Sequence, residues 1–418
     1  MHRIARTLCA ASLAPLCALA ADNYTASYPN ANGQPQAAAA STLDAILGSS
    51  VGIGSATIPI GRAVPFDLSL RGVAASITAV SVPSGTVAVV NAQLLIPATG
   101  ANVAFTDPSW QGLLDQVKRF LLQGSEAKRL QRELARSSPF DPVAGNPSSL
   151  MARSVAGDFA RAFEPFASNS VDGPVQVAQV GGLPAGALRG PLPGLPGVGA
   201  QVALWRDSGR SARSFTLPLS YTLRSDLDPR RQFSFSLPLA VTSVDGATSV
   251  QGNAAAALRL PLARDWSLTT SLGYAMVSAP DLGSAGKIGS IALTSSYVLR
   301  GEAGDLAIGN MLGHYRTLGG TLNGVDTGSG ISNTVLRNGL LWNMPAPAWL
   351  GFGRSVEYSL VNTHYTGTAL YLRNYSELGL AVGSNKRADS TRSYMQGGLS
   401  LLLSSKTRGA VASFGYWF

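Results

Sequence analysis

Ser214-Phe215-Thr216-Leu217-Pro218-Leu219-Ser220-Tyr221-Thr222-Leu223-Arg224 decides how this chain is read. Every odd position from 215 to 223 is apolar or aromatic, and the even positions carry Ser, Thr and Pro. Past a turn at 225–230 the pattern resumes. Phe233, Phe235, Leu237, Leu239 and Val241 share one face, and Gln232, Ser234 and Ser236 share the other. A period of two is a strand with one oily and one polar face. Nine further candidates follow, near 250–262, 266–277, 288–300, 306–318, 333–344, 354–364, 369–383, 392–404 and 409–418. The last runs into the end of the sequence in mid-pattern, with Phe414, Tyr416 and Phe418 on one face.

Most of these runs have 10–15 residues, enough to cross a bilayer at a tilt, since ~9–11 suffice. In lipid an open sheet edge would leave backbone N–H and C=O groups unpaired at several kcal/mol each, so such strands must close into a cylinder. The predicted fold is a transmembrane antiparallel β-barrel of about twelve strands. Eleven strands are read directly, and the even-count rule asks for a twelfth, either at 200–206 or hidden where two strands are read as one. The odd positions of the first two strands face lipid. The alternate face lines the lumen, where Gln251, Asn253, Arg259, Glu357, Arg373 and Glu377 are expected to point inward. A lumen carrying both signs of charge is hydrated. Turns alternate between tight ones, as at 263–265, and long ones, as at 319–330. That is the pattern of periplasmic and external ends. Leu-Pro-Leu units recur around Pro218, Pro238 and Pro261, and each proline removes a ladder donor.

Composition agrees. Only 13% of the chain is charged, against roughly 25% in soluble domains. No run reaches the ~18–20 apolar residues of a spanning helix. A soluble β-rich secreted protein is the plainer alternative. Residues 1–20 read as a secretory signal: Arg3 and Arg6, an apolar core from 8 to 16, then Ala18-Leu19-Ala20. Leu16 is too large to precede a lipid-modified Cys17. Both cysteines, Cys9 and Cys17, leave with that signal, so no disulfide or thiolate chemistry is expected. The net charge is +9, or +7 once Arg3 and Arg6 are removed. Its Lys and Arg form no basic stripe, which argues against nucleic acid as a partner. Selectivity for acidic cargo or anions is the more useful reading of that charge.

Upstream of the barrel, 21–42 reads as a flexible leader, within a periplasmic leader and small β-rich module at 21–106. Gly48, Ser50 and Gly52 match G-x-S-x-G, but no well-placed His accompanies them. Residues 107–137 read as one amphipathic helix, with Asp107 as cap and Pro108 in its first turn. Leu113, Val117, Phe120 and Leu134 lie on a seam spaced by threes and fours, which suits either a self-associating coiled coil or packing on the β-module. Residues 138–167 hold a second helix, opened by Asn146-Pro147 and closed near Pro165. Met151, Val155, Phe159, Phe163 and Phe166 form its apolar stripe, and Arg153, Asp158 and Arg161 its polar side. It is a candidate plug for the lumen, or a helix docked outside the pore. Residues 168–199 are Gly- and Pro-rich and read as a linker, and 200–418 as the barrel.

The barrel region resembles the outer-membrane export pores of functional-amyloid (Fap) systems. The likeness rests on Leu217-Pro218-Leu219-Ser220-Tyr221-Thr222-Leu223-Arg224 and Leu227-Asp228-Pro229-Arg230-Arg231-Gln232. It extends to Asp265-Trp266-Ser267-Leu268-Thr269, Gly309-Asn310-Met311-Leu312-Gly313-His314-Tyr315 and Asn333-Thr334-Val335-Leu336-Arg337-Asn338-Gly339. The resemblance implies a Gram-negative outer membrane, a homotrimer, a helix in the lumen, and a periplasmic helix that handles an unfolded amyloid subunit. Leu150 to Phe166 matches the plug and Trp110 to Leu134 the association helix. Phe414, Tyr416 and Phe418 match the aromatic terminal strand that such barrels present to their assembly machinery. The partners implied are outer-membrane lipid, that machinery and a secreted polypeptide cargo. No cofactor, metal or nucleic acid is implied, and the function expected is export of a polypeptide past an internal plug. Three other readings compete: a general diffusion porin or small-solute channel, an autotransporter-like protein displaying its own N-terminal region, and a barrel enzyme using His314 or His364. Catalysis has the weakest support, because a wall histidine satisfied by a neighbour is the commoner case.

Overall fold

The computed structural model describes residues 23–168, 195–346, 355–383 and 394–417, apart from 31, 49, 51, 85, 86, 208, 226, 227 and 229. The secretory signal, the stretch 169–194, Phe418, and Ser49 and Val51 of the G-x-S-x-G neighbourhood lie outside the described residues.

The N-terminal module is an antiparallel sheet of β1 (Tyr24–Pro29), β2 (Pro35–Ala40), β3 (Val64–Leu70), β4 (Val73–Ser84), β5 (Val87–Ile96) and β6 (Ala101–Asp107), in the order β2-β1-β3-β4-β5-β6. The stretch at 21–42, read as a flexible leader, thus supplies two strands. Its alternation is carried by Tyr24, Ala26 and Tyr28, which are buried, and alanine is too small to mark a strand in sequence. Helices α1 (Leu43–Leu47), α2 (Trp110–Leu122) and α3 (Gly124–Ser137) cover one face. Tyr28, Phe66 and Trp110 stack in series, with centroids 5.3 and 5.2 Å apart. The Trp110 indole N–H donates to the Ile53 carbonyl at 2.9 Å.

The long helix read over 107–137 is two helices. Gly124 has φ +82°, a left-handed conformation that halts α2 and restarts the chain as α3. Its N–H donates to the Asp326 carboxylate at 2.6 Å. The cap is Ser109 rather than Asp107. The Ser109 hydroxyl accepts the Gly112 N–H at 3.0 Å, while Asp107 accepts the Ser109 N–H at 2.9 Å. The seam is spent within the chain: Leu113, Val117 and Leu134 are buried in the module core, and Phe120 meets Phe105 edge-on at 5.6 Å. Of the two readings of this seam, packing on the β-module is the one its burial supports.

The barrel sheet comprises β7 (Leu195–Asp207), β8 (Arg210–Leu217), β9 (Leu219–Arg224), β10 (Gln232–Ser236), β11 (Leu239–Val244), β12 (Ala247–Ala263), β13 (Trp266–Ala279), β14 (Ser284–Leu299) and β15 (Asp305–Thr317). After a short hairpin of β16 (Thr321–Leu322) and β17 (Val325–Asp326), it continues through β18 (Ser332–Pro345), β19 (Ser355–Gly367), β20 (Asn374–Gly383), β21 (Tyr394–Leu403) and β22 (Arg408–Trp417). β8 and β9 are one stave cut at Pro218, and β10 and β11 one stave cut at Leu237-Pro238. The described residues therefore make twelve staves. β22 pairs with β7 from Arg408↔Arg206 to Trp417↔Gly197, which closes the cylinder. The stave expected at 200–206 is β7.

Two of the three repeated prolines face each other across neighbouring staves. The register Leu217↔Leu239 and Ser220↔Ser236 sets Pro218 opposite Pro238. Each lacks the donor that would reach its outer neighbour, while its carbonyl still accepts, from Gly199 N–H and Asn253 N–H, both at 3.1 Å. Pro261 sits at a register shift in β12.

Alternation holds around the wall. Phe215, Tyr221, Phe235, Leu237 and Val241 are all exposed on the outside. Trp266 pairs with Tyr297 and Trp342 with Tyr358 on that same face. Closure, an outward oily band and interfacial aromatics are the features of a barrel built for lipid. Among the described residues no helix is long and apolar enough to cross a membrane.

The two ends differ. Turns at 208–209, 245–246, 280–283, 318–331, 368–373 and 404–407 share one end, and the N-terminal module sits on it. Tyr24 OH donates to Leu282 O at 2.8 Å, Gln131 to Asp326 O at 2.8 Å, and Tyr371 N–H to Ala135 O at 2.8 Å. This is the capped end. Leu195 and Trp417 lie at the other, the terminal end, with the turns at 225–231, 264–265 and 300–304. Tight and long turns occur at both ends, so turn length does not tell them apart.

Candidate functional site

The lumen holds a helix, and the approach to it is built by short-range hydrogen bonds. Asp141 is fully buried, paired with Arg71 at 3.2 Å, and accepts the N–H groups of Val143 and Ala144 at 3.1 Å each. Burial pushes its carboxyl up, against the pull of Arg71 and those two N–H groups. Asn146 accepts from the Ser148 N–H at 3.0 Å. The helix itself, α4 (Leu150–Ser168), is capped by Ser149, whose hydroxyl accepts the Ala152 N–H at 3.3 Å. It thus begins after Ser149 rather than at Asn146-Pro147, and it continues past Pro165 instead of ending there.

The wall contacts of α4 descend from one end of the cylinder to the other. Near the capped end Gln251 donates to Ser148 O at 3.1 Å and Asn253 to the Ser154 hydroxyl at 3.3 Å. Arg153 reaches Thr216 at 2.6 Å and Thr242 at 3.1 Å, with its guanidinium 5.6 Å from the Trp205 ring centre. At mid-height Asp158 accepts from Tyr315 OH at 2.8 Å and from Ser290 at 3.3 Å, and it also pairs with Arg161. Arg161 donates onward to Ser236 at 2.7 Å. Toward the terminal end Arg259 donates to the carbonyls of Arg161 and Ala162, at 3.3 and 2.9 Å. Pro165 cannot donate to the carbonyl four residues back, and Arg259 supplies that missing donor. The nineteen residues of α4 extend about 28 Å at ~1.5 Å each, close to the ~30 Å of a hydrocarbon core.

The apolar stripe packs on the opposite wall. Met151, Val155, Phe159 and Phe163 are buried, and the rings of Phe159 and Phe163 lie 5.0 Å apart. They rest on Gly309 and Gly339, which are direct partners across β15 and β18. Arg337 stands 5.3 Å from the Phe159 ring centre and binds Glu377 at 2.5 Å. Phe166 lies in α4, its side chain outside the described residues.

Of the six wall residues read as lumen-lining, Asn253 and Arg259 touch the helix, Gln251 bonds Ser148 just before it, and Glu377 reaches it through Arg337. Glu357 is buried beside Asn343 and Gln396, at 3.5 and 3.4 Å. Arg373 is a correction. β20 starts at Asn374, so Arg373 lies in an exposed turn tied through Tyr371 to Ala135 of the module and through Leu372 to Gly145 ahead of α4. Sequence reasoning missed Thr216, Thr242, Ser290, Tyr315, Gly309, Gly339 and Arg337. All occupy inward positions of the period-two pattern, but their residue types are ordinary wall residues. His314 faces outward, beside Thr334 at 3.3 Å, away from the lumen. Among the described residues no cluster of three or more His, Asp or Glu comes together. Phe414 is exposed on β22, and the Tyr416 side chain lies outside the described residues.

No protein-family model matches the sequence, and no curated protein does. Solved structures do match. The translocator domain of the autotransporter NalP from Neisseria meningitidis is 12% identical over 55% of this chain and 89% of that one, with a TM-score of 0.40. The beta domain of the Bordetella autotransporter BrkA is 12% identical over 54% and 98%, also at 0.40. An outer-membrane channel from Pseudomonas putida F1 is 14% identical over 56% and 99%, at 0.38. Identities this low concern fold alone, and scores of this size leave the argument to the barrel's own geometry. Nothing in these comparisons points to functional-amyloid export pores in particular.

Proposed function

We propose that this protein is an outer-membrane translocator barrel that carries its own N-terminal module across the membrane and keeps α4 in the lumen afterwards. One observation supports this above the rest. The module docks at the capped end, the first barrel stave begins at the terminal end, and α4 joins them through the lumen. A chain so arranged has the module and the start of the barrel on opposite sides of the bilayer. On this reading the terminal end faces the periplasm and the module is displayed at the cell surface. This departs from the periplasmic placement expected from sequence. A diffusion porin fits less well, because its lumen would have to stand clear.

Residues 21–418 contain no Cys, so single cysteines report sidedness. Ala104→Cys on the module should react with an impermeant maleimide on intact cells. Glu302→Cys, in a terminal-end turn, should react only after permeabilisation. The reverse pattern would overturn display.

The resemblance offers a second reading, in which α4 withdraws to admit another polypeptide such as an amyloid subunit. The polar contacts of Arg153 and Arg161 with Thr and Ser hydroxyls favour it, since exchanging such a hydrogen bond for one to water in a hydrated lumen costs only about 0.5–1.5 kcal/mol net. Secretion of a co-expressed amyloid subunit that needs this barrel would support it.

A further inference from the structure

Neither lumen nor cap accounts for a charge pattern on the outside of the cylinder. Outward residues run Val202, Leu204, Arg206 on β7, Phe215 then Arg213 on β8, and Phe414, Ala412, Ala410, Arg408 on β22. Arg206 and Arg408 are direct cross-strand partners. Arg213 pairs with Leu204 and is therefore the diagonal neighbour of Arg206. All three are exposed. None makes an ion pair or a side-chain hydrogen bond among the described residues. No carboxylate stands at an outward position of these three strands, because Asp207 is buried and bonded to Tyr371 and Thr407.

Like charges facing across a ladder repel. An anion placed between them converts that repulsion into charge-assisted, forked hydrogen bonds. The height of the cluster says where the anion comes from. Each arginine stands one outward step beyond the oily band, next to Leu204, Phe215 or Ala410, and Leu403 flanks Arg408. That is the level of lipid headgroups in a bilayer. We propose that Arg206, Arg213 and Arg408 bind the phosphomonoester of a lipid headgroup, in the leaflet at the capped end. Three unopposed cations suit a dianionic phosphate better than a zwitterionic headgroup. The inference rests on the barrel being embedded in lipid, and not on which way the module faces.

The test uses the full chain in phosphatidylcholine vesicles with and without diphosphoryl lipid A, followed by detergent extraction and native mass spectrometry. The wild-type chain should retain lipid A in preference to phosphatidylcholine, and millimolar inorganic phosphate should not displace it. R206Q/R213Q/R408Q should retain it roughly a hundredfold less, and R408Q alone about fivefold less. Both should insert normally, since no substituted side chain enters the lumen, and R408Q carries the test should the triple variant fold poorly. Equal retention by wild type and variants would overturn the site. Displacement by inorganic phosphate would overturn the lipid and leave a simple anion site. Failure of the wild type to enter phosphatidylcholine vesicles at all would instead overturn the embedded barrel, and this site with it.

Discussion

Gly309 and Gly339 show how single residues place the helix. A Cβ at Gly309 would lie 2.5 Å from the Phe163 ring, and one at Gly339 would lie 2.8 Å from the Phe159 ring. Neither wall nor helix has room for it. Gly339→Val should therefore push α4 off its seat, at about 1–3 kcal/mol of overpacking. In planar bilayers the variant should conduct more than wild type, and unchanged conductance would mean the aromatic stripe does not hold the helix. Tyr24 makes a different point. It is buried and donates to Leu282 O, and burial pushes its phenol up to about 12, with Arg71 opposing and Asp141 adding. A raised pKa means that the fold favours the protonated form. The contribution is complete below pH 10 and is lost as pH rises through about 12. Protease protection of the module should weaken in that alkaline window. Tyr24→Phe should lower docking stability by ~1 kcal/mol at neutral pH and flatten the alkaline loss. Neither position announced itself in sequence: a glycine in a strand reads as a weakness, and Tyr24 stood in what looked like a leader.

Elements were legible wherever their period was carried by large side chains. Phe233, Phe235 and Leu237 mark a strand unmistakably, and the apolar stripe of α4 marks a helix. The module's first hairpin was illegible because its core-facing residues include Ala26, Ala38 and Ala40. The break between α2 and α3 was hidden for another reason: Gly124 is tolerable inside a helix, and only the Asp326 carboxylate of a distant loop makes the left-handed turn pay off. The same contrast applies to α4. Its stripe was readable, but its partners were not, because Thr216, Ser236 and Ser290 are ordinary wall residues that only closure of the barrel brings to the helix. Asp158 is the hub of that polar contact. It is almost fully buried and neutralises Arg161. Asp158→Asn keeps the shape and strands the cation, a change of about 3–5 kcal/mol. Hydrogen exchange across 150–163 should accelerate in this variant while the barrel strands keep their protection. Equal acceleration in the wall would show that helix and barrel unfold as one unit.

At the scale of the whole molecule, the question is whether module, helix and barrel depend on one another. The module has its own core and reaches the barrel turns through Tyr24, Gln131 and Arg210 without help from α4. The barrel closes through its own ladder. Only the helix depends on both, since the Arg71–Asp141 pair anchors the segment leading into it and the wall grips it along its length. Deleting 147–167 should therefore remove the plug and, on the proposed topology, leave the module on its side of the membrane. The remaining tether, 138–146 plus 168–194, extends at most about 120 Å at ~3.3 Å per residue, which exceeds a bilayer core of ~30 Å several times over. The deletion should give a barrel of high, steady conductance whose module still reacts with impermeant label at Ala104→Cys. Loss of both conductance and labelling would mean that the helix is needed to assemble the barrel. High conductance with loss of labelling would mean instead that α4 holds the module in place, and the cap contacts at Tyr24 and Gln131 would then be insufficient by themselves.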